Sequence, residues 1–296
     1  MPAANGYVPT PAPVADLLAA TVFGAIRPSE VDGGGRILLP GLGTGNLYAG
    51  VRRYCTAGEN WRVPEFDYPM PECVGVEQSA SLIERFRDAR PTDDVTITIH
   101  HADFLLDPPE GTFDWVLANP PYTRYRNIDE DRREVYRDRF QTATGQFPLY
   151  APFTEQMLDL LKPGGDLTVI LPTKVLNTDV TEPLREFLAQ YRRGPIVLLP
   201  DPTFDRAVTT VAITVRKVRD SHEGWWLENV LPYGPRPLLE RLDVDDVDAA
   251  AAAYMADLRT RRNRQLQRTR GTPAHDPSSN AGGTDHEQTD LGAWSA

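Results

Sequence analysis

Apolar positions along this chain recur in two rhythms. Short apolar, β-branched runs read as strands: RILLP (36–40), ECVGVE (72–77), VTITIH (95–100), FDWVLA (113–118), DLTVILP (166–172), PIVLLP (195–200) and TTVAITVRK (209–217). Helical spacing fills several of the gaps. Ala15 to Ala25 sets Leu17, Leu18, Val22 and Phe23 on one side. SASLIERFRDA (79–89), LYAPFTEQMLDLLK (149–162) and TEPLREFLAQY (181–191) also read as helices. Pro163-Gly164-Gly165 is a stop signal for the second of these, and a proline sits near the first turn of the third. Thr123 to Thr144 is polar and arginine-rich, and reads as an exposed loop plus helix.

Strands alternating with helices predict an α/β fold with a parallel sheet covered on both faces. The segment joining the last two strands has no room for a crossover helix, so the final strand of the seven is expected to be antiparallel. After residue 218 the character changes. Residues 245–270 read as a helix whose far half carries arginines at 259, 261, 262, 264, 268 and 270. Gly271 to Ala296 holds almost nothing to bury and is expected to be disordered. The expected division is one domain over 1–218, a helical C-terminal extension with a basic stretch over 219–270, and a tail over 271–296.

Composition narrows the choices. The 296 residues are 41% hydrophobic, enough for a substantial core. Net charge is −11, with three lysines against 28 arginines. On charge alone such a surface argues against nucleic acid as a partner. No apolar run approaches the ~18 residues of a membrane span. The opening MPAANGYVPTPAP has neither the basic nor the apolar region of a signal peptide, so a cytoplasmic protein is expected. Cys55, Cys73 and five scattered histidines show no metal-ligand spacing, and no metal is expected.

In an open parallel sheet, ligands bind beyond the carboxyl ends of the strands. After the first strand comes Pro40-Gly41-Leu42-Gly43-Thr44-Gly45, a loop that lets backbone approach a ligand. By itself it equally fits a plain turn, and the dinucleotide spacing G-x-G-x-x-G is not met. Glu77 ends the second strand, where a carboxylate can accept both hydrogens of a ribose diol; a helix-capping acid is the plainer reading. Asp103 and Phe104 follow the third strand and suit an adenine amino group and ring face, or a simple turn. His100 and His101 read as structural.

Asn119-Pro120-Pro121-Tyr122 ends the fourth strand. Two prolines make a stiff loop and remove two N–H donors. The Asn119 side-chain oxygen and the Pro120 carbonyl can then take both hydrogens of one planar amine. That draws the nitrogen towards a tetrahedral shape and frees its lone pair. Tyr122 can stack on the ring bearing that amine. In isolation the four residues would read as a polyproline turn. The preceding strand ends, already equipped for a nucleoside, shift the balance.

With these residues in order, the chain resembles the S-adenosylmethionine-dependent amino-methyltransferases. Within them it resembles the gamma-type adenine-N6 DNA methyltransferases of restriction–modification systems. YVPTPAPVADLLAA (7–20) is similar to the Thr-Pro segment and helix that precede the glycine loop in that class. GLGTG, Glu77, ADF (102–104) and NPPY then follow in the family's sequence. FPLYAPFTEQMLDLLKPGGDLTVILP (147–172) and FDRAVTTVAITVRK (204–217) resemble its later helix, strand and closing hairpin. The match covers about residues 7–218. NPPY alone is shared with RNA and protein methylases.

The resemblance implies a class I methyltransferase fold, Rossmann-like, and the cofactor S-adenosyl-L-methionine. It implies cofactor contacts at Thr10, Pro11, Pro40, Gly41, Gly43, Gly45, Glu77, Asp103 and Phe104, and catalysis by Asn119, Pro120, Pro121 and Tyr122. The target adenine, flipped from DNA, would lie between Tyr122 and Phe204. Two departures stand out. Leu39 occupies the place of an acid that meets the methionine ammonium, and an insert surrounds TAGENWRVPEFDYPMPE (56–72). No long target-recognition domain follows residue 218, so sequence choice is expected from a separate specificity subunit, the insert, the 123–146 loop, or not at all. An RNA adenine or protein-glutamine methyltransferase, and a degenerate non-catalytic DNA-binding subunit, are the alternatives.

Overall fold

The computed structural model describes residues 8–23, 31–56, 70–90, 97–199 and 209–219. The 56–72 insert for the most part, Phe204, the arginine-rich 245–270 segment and the 271–296 tail lie outside the described residues. In chain order the elements are α1 (Ala12–Val22), β1 (Arg36–Pro40), α2 (Asn46–Thr56), β2 (Glu72–Glu77), α3 (Ala80–Asp88), β3 (Ile97–His101) and β4 (Phe113–Ala118). Then come α4 (Glu130–Arg139), α5 (Tyr150–Leu160), β5 (Leu161–Pro172), α6 (Glu182–Ala189), β6 (Tyr191–Leu198) and β7 (Thr210–Arg219).

The seven strands form one sheet in the order β3-β2-β1-β4-β5-β7-β6. β1 to β5 are parallel, and β7 runs antiparallel between β5 and β6. This is the architecture expected from the strand–helix alternation. It exists because β1, β2 and β4 are buried almost end to end, as strands covered on both faces must be. The chain steps outward from β1 through β2 to β3, then returns to the other side of β1 as β4. That reversal opens a crevice beyond the carboxyl ends of β1 and β4.

Three local differences have physical causes. Helix α2 is not predicted from the sequence, because Asn46, Arg52, Arg53 and Thr56 dilute its apolar positions. Its anchor is a close approach: a Cβ on Gly50 would stand 2.6 Å from the Ala15 carbonyl, so α1 and α2 touch backbone to backbone there. Strand β5 begins at Leu161, ahead of the Pro-Gly-Gly stop, because Leu161 pairs with Phe113 before the register shifts to Trp115 opposite Asp166. Gly164, at φ 82°, lets the chain bulge between those pairs. Leu39 is 1% exposed in β1, opposite Gly75 of β2, so the position expected to carry an acid belongs to the core.

Among the described residues no helix is long and apolar enough to cross a membrane. Nor does any group of three His, Cys, Asp or Glu among them suit a metal ion.

Candidate active site

Beyond the carboxyl ends of β1, β2 and β4 lies a cleft. Its lining includes Thr10, Gly41, Glu77, Asp103, Phe104 and the whole of Asn119-Pro120-Pro121-Tyr122. Residues spread over more than a hundred positions are thus brought together by the strand ends. Pro11, Pro40, Gly43 and Gly45 do not line it.

The loop after β1 is shaped by Gly41, Gly43 and Gly45, at φ 67°, 58° and 77°. A Cβ on Gly41 would stand 3.8 Å from the Asn119 carbonyl, in the space between the loop and the NPPY turn. The Leu42 N–H donates to the Val76 carbonyl at 3.0 Å, binding the loop to β2. Glu77, 7% exposed, takes the Gly43 N–H at 2.8 Å on one oxygen and the Ser79 N–H at 2.9 Å on the other. Backbone donors on both oxygens fix the orientation of this buried carboxylate. Each oxygen keeps a second lone pair, so a diol can still be accepted.

Asp103 is also engaged. Its Oδ1 accepts the Leu105 N–H at 3.0 Å and its Oδ2 an Arg132 N–H at 2.7 Å. Arg132 comes from α4, in the stretch that reads from sequence only as loop plus helix. Arg132, Tyr136, Asn46 and Phe153 line the cleft and carry no motif that would have singled them out. Phe104 stacks tilted against Phe153, with ring centroids 4.7 Å apart.

The N-terminal segment closes the cleft. Thr10, 4% exposed, meets two functional loops at once. Its carbonyl accepts Asn46 Nδ2 at 2.7 Å, and its Oγ1 accepts Asn119 Nδ2 at 3.2 Å. Asn119 Nδ2 also reaches the Val8 carbonyl at 3.3 Å. A backbone carbonyl accepts only, so the Asn119 atom facing it must be the amide nitrogen. That fixes the amide orientation and leaves Oδ1 with no partner among the described residues. Tyr122 is fixed as well: its hydroxyl donates to the Ile170 carbonyl at 3.2 Å. Its ring meets Tyr150 edge to face, with centroids 6.2 Å apart. Burial pushes the Tyr122 phenol well above its ordinary range, so it stays a neutral donor.

Comparison with known proteins follows the same outline. Residues 74–196 match the Eco57I restriction-modification methylase family. Among curated proteins, the chain is 38% identical over 92 residues to type II methyltransferase M.PaeR7I of Pseudomonas aeruginosa, covering 31% of this chain and 16% of that protein. It is 29% identical over 196 residues to type II methyltransferase M.TthHB8I of Thermus thermophilus, covering 64% and 41%. The aligned part is thus a minor share of each relative's length. Among solved structures, a Listeria monocytogenes protein described as a class I S-adenosylmethionine-dependent methyltransferase superposes with a TM-score of 0.61 at 19% identity, over 83% of this chain and 73% of that one. The fold is the class I methyltransferase fold expected from the motif order. The resemblance to methylases of restriction–modification systems is the one the comparisons return. S-adenosyl-L-methionine is the cofactor that the fold and these relatives imply. The cleft fits it in kind: Gly41 of the glycine loop, Glu77 and the Asp103-Phe104 pair line one space.

Proposed function

We propose that this chain transfers a methyl group from S-adenosyl-L-methionine to the exocyclic N6 amine of adenine in DNA, as a modification enzyme of a restriction–modification system or a related one. The observation that carries the reading is the fixed Asn119 amide, with its nitrogen spent on Val8 and Thr10 and its oxygen left for a ligand.

In this reading Glu77 accepts from the ribose, Asp103 accepts from the cofactor's adenine and Phe104 lies against that ring. The Gly41 loop leaves room for the methionine part. When bound, the cofactor supplies an electrophilic methyl on sulfur. Asn119 Oδ1 and the Pro120 carbonyl accept the two hydrogens of the target amine and aim its lone pair. Tyr122 offers a ring face to the extruded base, and Phe204 is proposed for the other face. The nitrogen–carbon bond forms as the sulfur–carbon bond breaks, and the surplus proton passes to water. Water is the acceptor in this reading because the acids of the described lining, Glu77 and Asp103, are engaged by the cofactor. Positioning would thus supply most of the acceleration.

Asn119 is held by a segment that also ties Asn46, the first residue of α2, so Thr10 acts in this reading as a positioning residue. The test is transfer of tritiated methyl to DNA, RNA and protein in parallel. Label in DNA alone, recovered as N6-methyladenine, is the expected result. Label in RNA or in protein glutamine instead would overturn the substrate. Absent cofactor binding would point to a degenerate subunit.

A further inference from the structure

A second cleft, about 920 Å³ in volume, shares Tyr122 with the first. Its lining is drawn from the 122–126 turn, α4, the 146–150 segment, the 172–180 turns and Thr209. Among the described lining residues four are cations (Arg124, Arg126, Arg133 and Lys174) and none is an acid. That is a sharp local excess in a chain of net charge −11.

The four cations are not equivalent. Arg133 is committed: its Nε donates to the Ile128 carbonyl at 2.7 Å, and its guanidinium stands 4.6 Å from the Tyr125 ring centre. Arg124, Arg126 and Lys174 are exposed, and their side chains have no hydrogen-bond or ion-pair partner among the described residues. Cations gathered without counter-charges repel one another, and an anion relieves that cost. A nucleotide inserted beside Tyr122 brings such anions with it. Its two flanking phosphates must remain outside the stacked ring, and Arg124, Arg126 and Lys174 line the cleft that Tyr122 shares. Val180, 48% exposed, lines the same cleft and suits an apolar contact with sugar or base.

We infer that Arg124, Arg126 and Lys174 form a phosphate clamp that grips the DNA backbone on both sides of the nucleotide entering at Tyr122. The clamp rests on the DNA reading above. It assigns a nucleic-acid contact to the 122–126 and 172–180 turns.

The test uses the full chain and a triple variant, Arg124→Gln, Arg126→Gln and Lys174→Gln. Binding to a short adenine-containing duplex and to its single strand is followed by fluorescence anisotropy across a salt series. Loss of three phosphate contacts should flatten the slope of log K against log salt by about 2 to 3 on duplex, at about 0.9 per contact. Each single substitution should remove about a third of that, and Arg→Lys variants should retain it. Cofactor binding, measured alongside by calorimetry, should be unchanged and reports that the variant is folded. An unaltered slope in the triple variant, with the parent chain methylating DNA, overturns the clamp and leaves the methyl-transfer reading standing. A parent chain that neither binds nor methylates DNA overturns both.

Discussion

In the cofactor-side cleft every acid has its partners. Glu77 holds two backbone N–H groups, and Asp103 holds one together with Arg132. In the neighbouring cleft, the side chains of Arg124, Arg126 and Lys174 hold no partner among the described residues. The two clefts meet at Tyr122, which is itself pinned by Ile170 and Tyr150. The inner cleft is fixed in advance by contacts within the chain, which suits a small ligand whose geometry decides the rate. The outer one leaves its charges to be satisfied from outside, which suits a flexible polyanion. On the proposed reading, preorganisation on one side and open charge on the other divide chemistry from capture.

The sharpest way to break this comparison is Asn119→Ala. It removes the acceptor that aims the amine but leaves the outer cleft whole. Methyl transfer should fall by on the order of 10²–10³-fold, with DNA binding nearly unchanged. Substantial residual activity in a single-turnover assay would move the chemistry elsewhere.

Leu39→Asp comes next. The family resemblance implies an acid there, and a gain in cofactor affinity would follow if the position faced the cleft. The structure buries it in β1 instead, 1% exposed. An uncompensated carboxylate at that depth should cost about 3 kcal/mol of stability. A denaturant titration checks the loss. A variant as stable as the parent, with tighter cofactor binding, would show that β1 presents residue 39 to the ligand.

The inner cleft is the part that sequence made legible, and the reason is topological. Strand ends follow from apolar runs such as FDWVLA, and in a parallel sheet those ends converge. Glu77, Asp103 and Asn119 could therefore be grouped without coordinates. What escaped was whatever depends on packing across elements. Helix α2 is amphipathic but polar overall, and rests on α1 through the backbone contact at Gly50. Arg132 reads as one arginine among many until α4 lays it against Asp103. The outer cleft escaped entirely, since its lining is drawn from turns at 122–126, 146–150 and 172–180 that share no periodicity. The Thr-Pro segment was recognised as a motif, yet its grip on the Asn119 amide is visible only in the structure.

That grip gives a finer test. Thr10→Val keeps the shape and removes the acceptor at Asn119. Losing one neutral hydrogen bond, worth about 1 kcal/mol, should lower kcat about fivefold with little change in KM. Thr10→Ser should restore the rate. A purely structural role would instead lower the melting temperature and leave kcat of the folded fraction alone.

Arg132→Ala should have the smallest effect. The Arg132–Asp103 pair is partly exposed, and such pairs contribute about 0.2–1 kcal/mol. A thermal melt should register a shift of that order or less. A much larger loss would mean that α4 is held over the cofactor cleft mainly by this contact.

The central claim is that a preorganised Asn119 directs methyl transfer to an adenine amine in DNA. Methylation-aware sequencing of DNA from cells expressing either the parent chain or Asn119→Ala tests it most directly. The account predicts N6-methyladenine that appears with the parent chain and disappears with the variant. Methylation on cytosine, or adenine methylation that persists at full level in Asn119→Ala, would contradict it.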